Sequence, residues 1–222
     1  KHKYMILTSA LSGTAAISST EEAMTVLDLL MKGGVIMIPI VLLSLISFYI
    51  FIERLAYINR STVITKGLLP AVTSEIRSGN SNNALVHARN SQAAVGRILE
   101  SGIEKIGKPL GEVERNIETA TNLEITRMEK NTGYLGIIAS VAPMLGFIGT
   151  ISGVIKIFYN ISLADNISIG LIAGGLYQKM ICSGAGLIVG VLAYAGYHYL
   201  QLKIDRYLIR LQESLIQFLK AV

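Results

Sequence analysis

The chain has 222 residues, of which 51% are hydrophobic and 16% charged, with a mean hydropathy of +0.52 and a formal net charge of +5. That apolar excess places it among membrane proteins rather than soluble domains. The single cysteine, Cys182, excludes an intramolecular disulfide and a multi-cysteine metal site, and basic residues mixed with acids rather than clustered with aromatics argue against nucleic acid as a partner.

Residues 1–33 open with a basic start and an apolar stretch from Tyr4 to Ile17, which has the outline of a secretory signal. We expect instead an interfacial helix with Tyr4, Leu7 and Leu11 on the lipid side. Ser19 and Glu22 have capping-box spacing for a second short helix carrying Met24, Leu27 and Leu30, with Gly33 and Gly34 ending it.

The next segment, 34–53, is the first expected transmembrane helix, because no residue between Lys32 and Glu53 is charged and ~20 apolar residues cross a bilayer core. Pro39 sits near its start, where a missing backbone donor costs least. Residues 54–131 read as a cytoplasmic helical domain. Ser78 to Ser81, Asn90 to Ser91 and Gly107 to Gly111 are turn signals. Beyond Pro109, Ile117, Thr121, Ile125, Met128, Thr132 and Leu135 form one stripe at helical spacing. The pattern has no breaker, which predicts one continuous helix from Leu110 to Phe158, on the order of 70 Å long. The charges of this domain read as a solvated face.

The second span is expected over 132–158, followed by a periplasmic loop at 159–167 whose only charge is Asp165. The third, 168–200, carries only Lys179 as a charge between Ser168 and Leu202, and is long enough that it must tilt or project beyond the lipid. Residues 201–222 form a cytoplasmic C-terminal helix. Arg54, Arg60, Lys66, Arg127, Lys130, Lys203, Arg206 and Arg210 all flank the same ends of the spans. The positive-inside rule therefore puts the amino terminus in the periplasm and the long loop and tail in the cytoplasm.

Enzyme templates fail on this chain, so no catalytic residues, no cofactor and no metal are expected. It lacks a phosphate-binding loop, paired cysteines and a zinc helix, and His2, His87 and His198 are far apart. The informative residues lie within the spans. Gly146, Gly149 and Gly153 fall on related faces of span two, and Gly170 with Gly174 and Gly186 with Gly190 repeat the GxxxG spacing in span three. Small residues let helices approach closely in lipid. The spacing suits a hairpin within one subunit and contact between subunits equally well. Thr150 and Ser183 are intramembrane hydroxyls that either bond their own helix carbonyls or hold waters in a proton path. Gln178 is an amide in the outer half of span three. Lys179 either snorkels toward the periplasmic headgroups or serves as a counter-charge.

Four blocks occur in a familiar order: Pro39 followed by IERLAYINR from Ile52, NLEITRMEKNTGYLG from Asn122, APMLGFIGTISG from Ala142, and GGLYQKMICSGAGLIVG from Gly174. Together they resemble the MotA/TolQ/ExbB proton-channel subunits, most closely the ExbB and TolQ branch. The resemblance implies an all-α membrane fold of three transmembrane helices with long cytoplasmic extensions. It also implies five copies around a pore that holds helices of an ExbD- or TolR-like single-span partner supplying a membrane aspartate. It aligns family pore threonines with Thr150 and Ser183, and the family's pore glutamate with Gln178, a neutral amide here. The function implied is an ExbB-like inner-membrane motor subunit that energises a TonB-like protein for outer-membrane transport. A TolQ-like role in envelope integrity and a non-conducting scaffold are the alternatives. A solute carrier would need duplicated halves with broken helices, and no such repeat is visible.

Overall fold

The computed structural model describes residues 34–63, 67–163, 169–220 and 222, apart from the side chains of Leu171 and Gln178. The expectations for residues 1–33 and for Asp165 lie outside this set. The described residues form seven α-helices and no strand: α1 (Met37–Ser61), α2 (Leu68–Arg77), α3 (Ser81–Asn90), α4 (Ala94–Ile103), α5 (Leu110–Glu129), α6 (Thr132–Leu163) and α7 (Ile169–Leu219). Three of them, α1, α6 and α7, are long and apolar enough to cross a membrane.

Each long helix buries one narrow stripe and leaves the rest of its apolar surface outward, as expected where lipid replaces water. On α6 the stripe is Thr132, Leu135, Ile138, Ala142, Gly146, Gly149 and Gly153, at steps of three and four. On α7 it runs from Cys182 through Ala193 and Leu200 to Ile204, Tyr207, Leu211, Leu215 and Phe218. The seam leaves the apolar span without interruption, and the 51-residue α7 is ~77 Å long at the usual helical rise. Helix α1 rests on both α6 and α7, with Pro39 in its first turn.

Outside the spans, α2, α3 and α4 are ten-residue helices that fold back along α5 and α7. Their core joins Val72, Ala84, Ala88, Ile98 and Leu99 to Val113, Ile117 and Met128, and continues to Leu135 and Leu200. Gly102 lets α4 approach both α5 and α7 closely: a Cβ there would lie 2.9 Å from Ile117 and 3.1 Å from Phe218. The three turn signals coincide with the breaks between α2 and α3, α3 and α4, and α4 and α5.

The expected continuous helix from Leu110 to Phe158 is corrected. Helix α5 ends at Glu129, Lys130 is extended at ψ 132, and Asn131 turns left-handed at φ 65 before α6 begins. Asparagine tolerates that region better than other side chains with a Cβ, and Thr132 Oγ1 covers the broken end by donating to the Glu129 carbonyl at 2.6 Å. The stripe of Ile117, Thr121, Met128, Thr132 and Leu135 is buried on both sides of the break. Side-chain periodicity therefore survives a kink that it could not reveal.

Candidate functional site in the α6–α7 hairpin

Glycines set how close α6 and α7 approach. A Cβ on Gly146 would lie 2.9 Å from the Cys182 carbonyl and 3.1 Å from Ser183 Cα, and one on Gly186 would meet the Ala142 carbonyl at 2.5 Å. One on Gly190 would run into the Pro143 ring. Gly149 faces the Cys182 side chain at 3.3 Å and Ile36 at 3.4 Å. These positions join the two helices within one chain. Gly175, which the sequence reading passed over, packs the same way against Ile157. Gly174 differs, with nothing within 4 Å, and Gly170 lies at the head of α7.

The hydroxyls are carried on this hairpin. Thr150, half-buried one residue beyond Gly149, donates to the Phe147 carbonyl at 2.7 Å. Ser183 is half-buried at the Gly146 crossing, so the two hydroxyls sit on neighbouring helices close to the same contact. Lys179 and Gln178 lie four and five residues from Ser183, little more than one turn, toward the α7 start. The stem of Lys179 lies across Gly153, and its Nζ is 3.9 Å from where a Cβ on Gly34 would stand, just ahead of α1. The cation thus extends along the helix surface toward that end of the spans, the geometry of a snorkelling lysine. His198, near the opposite end, has Tyr194 and Tyr197 edge-on at 4.3 and 5.1 Å between ring centroids. No group of His, Cys, Asp or Glu that could hold a metal is present among the described residues.

Sequence reasoning missed a polar hub below the spans. Glu124, 3% exposed, accepts from Arg97 Nε of α4 at 2.9 Å and from Arg127. Burial pushes its carboxyl up, but the two guanidiniums outweigh that and hold it below the usual carboxylate value. Arg54 of α1, 6% exposed, pairs with Glu53 and donates to the Arg127 carbonyl at 3.3 Å, near the C-terminal end of α5 where a cation is favoured. The Tyr207 hydroxyl of α7 is buried here beside the Val95 backbone, without a hydrogen bond of ordinary geometry. The signal was present in Glu124 itself, an acid on the apolar stripe between Thr121 and Met128.

A three-span helical membrane protein with a glycine-stitched hairpin, no acid within the apolar stretches of its described spans and a large extramembrane helical domain is the class these features define. The chain belongs to the MotA/TolQ/ExbB proton channel family, whose family model matches residues 90–213. It is 32% identical to an ExbB homolog, named as a biopolymer transport protein, of Methanothermobacter thermautotrophicus, over 82% of this chain and 64% of that protein. It is 28% identical to the ExbB-like protein 1 of Synechocystis, over 88% of this chain and 75% of that one. It is also 28% identical to the Tol-Pal system protein TolQ of Haemophilus influenzae, over 81% and 85%. The chain thus spans less than two thirds of the length of the archaeal relative.

Proposed function

We propose that this chain is a non-enzymatic ExbB-like subunit of a proton-driven motor in the bacterial inner membrane, with its amino terminus periplasmic and its α2–α5 domain cytoplasmic. In this reading several copies, five by family resemblance, surround a pore in which a single-span ExbD- or TolR-like partner moves and acts on a TonB-like protein. Relatives named for both ExbB and TolQ support the mechanism the two roles share.

One observation carries the mechanism. Proton transfer through a low-dielectric barrier needs a group that binds and releases protons, usually Asp, Glu or His. Among the described residues, the apolar stretches of α1, α6 and α7 hold no acid; Glu53 stands at an exit, His198 near an end, and Gln178 cannot titrate. The titrating carboxylate therefore comes from the partner, with Thr150 and Ser183 as hydroxyls able to meet it. Reconstituted in liposomes under a potential, the chain alone should not conduct, the chain with its partner should, and the partner's Asp→Asn variant should not. Thr150→Val should abolish flux while leaving assembly intact. Robust flux from the chain alone overturns the reading. Absence of flux from every preparation selects the non-conducting scaffold, which Gln178 in the family's glutamate position favours.

A further inference from the structure

Between α1 and α7, away from the hydroxyls, runs an open groove of about 510 Å³. Phe51 lines it from α1, Val189, Leu192 and Tyr199 from α7, and Leu135 forms part of its floor. Short side chains make the room: Ser44 and Ser47 on one wall, Ala195 and Gly196 on the other. A Cβ on Gly196 would already lie 3.0 Å from the Phe51 ring.

We propose that this groove holds one acyl chain of an anionic phospholipid, with its headgroup at Lys203. The dimensions come first. From Val189 to Tyr199 the groove follows ten residues of α7, or ~15 Å, which is half of a ~30 Å hydrocarbon core and therefore the depth of one leaflet. Short side chains on both walls leave room along that length for a polymethylene chain.

Charge fixes the headgroup. Tyr199 closes the groove at one end, and Lys203 stands one turn beyond with its Nζ 6.0 Å from the Tyr199 ring. Its hydrogen bond goes to the neutral Asn59 amide, and it takes part in none of the ion pairs among the described residues. Arg60 at the same end also bonds a neutral partner, Gln92 Oε1 at 3.3 Å. An aromatic ring at the interface with uncompensated cations beside it selects a phosphate-bearing anionic lipid over a zwitterionic one. The site does not depend on whether the protein conducts.

The test uses the full-length protein, extracted in mild detergent and offered phosphatidylglycerol or phosphatidylcholine, with bound lipid counted by native mass spectrometry. Wild type should retain phospholipid and prefer phosphatidylglycerol by about five-fold, the factor expected for one lysine at a membrane surface. Lys203→Gln, which keeps a polar side chain at a half-buried position, should bring that preference close to unity without removing the bound lipid. Ala195→Phe should fill the groove and remove retention of both lipids. Undiminished preference in Lys203→Gln overturns the proposal, as does unchanged retention in a well-assembled Ala195→Phe protein. Efficient disulfide capture of Ala195→Cys by a cysteine on a second copy would assign the groove to a subunit interface instead.

Discussion

At the scale of single residues, the buried polar hub ties together positions far apart along the chain. Glu124 is bonded by Arg97, and Arg54 reaches the backbone 73 residues away at Arg127. An acid interrupting an apolar stripe is visible in sequence, and so is Arg127 three residues further on, but Arg97 is not, because nothing local distinguishes it from the other arginines of the domain. Replacing Glu124 with Gln leaves two guanidiniums without their counter-charge. Breaking a fully buried pair costs ~3–5 kcal/mol. Arg97 and Arg127 are 37% and 49% exposed, so solvent screening lowers the expected loss to ~2 kcal/mol, readable as a lower melting temperature at neutral pH. The linkage has a definite sign. The folded-state pKa of Glu124 is depressed, so its contribution is complete above the unfolded carboxylate value and lost as pH falls through the lower folded one. Wild type should lose stability over that acidic window, and Glu124→Gln should lack this component of the loss.

At the scale of elements, the three spans and the short-helix breaks were legible because hydropathy and turn residues are local properties. The joint at Asn131 was not, since one left-handed residue can re-aim a helix while the buried stripe continues in phase on either side. Asn131→Gly should leave stability unchanged, whereas Asn131→Ala should cost ~1–2 kcal/mol by forcing a Cβ into the left-handed region; paired thermal melts give the comparison. Glycine spacing likewise announced close packing without naming its partner. Gly186→Ala places a methyl against the Ala142 carbonyl, a backbone atom that cannot step aside, and should destabilise the hairpin by ~1–3 kcal/mol. Gly174→Ala, with nothing within 4 Å in its own chain, should leave the isolated subunit unaffected. If size analysis of the assembled protein shows smaller oligomers for Gly174→Ala alone, that glycine faces a neighbouring copy.

At the scale of the whole molecule, charge asymmetry carries the proposed orientation, and labelling tests it. Single cysteines at Ser162, beside the loop joining α6 and α7, and at Ser81, which begins α3, should respond oppositely to an impermeant thiol reagent on intact spheroplasts, in a background lacking Cys182. Ser162→Cys should be labelled and Ser81→Cys protected; the reverse pattern inverts the topology. The outward surfaces of the spans were the least legible part of the sequence. Phe147, Ile151 and Leu192 are all exposed in a single chain, and hydropathy alone assigns the same value to a side chain facing lipid and one facing another protein.

The turn at Asn131 also bears on how this molecule can change length. Along an unbroken helix every inserted residue rotates all that follows by ~100°, so lengthening α5 would swing the hydroxyl-bearing face of α6 away from α7. A left-handed joint cuts that rotational coupling: α6 takes its azimuth from Gly146, Gly186 and Gly190 within the hairpin, not from the turns that precede it. A change in the length of α5 can therefore be absorbed at the joint without turning Thr150 away from where the hairpin puts it, whereas α7 runs unbroken from span to domain and offers no such joint.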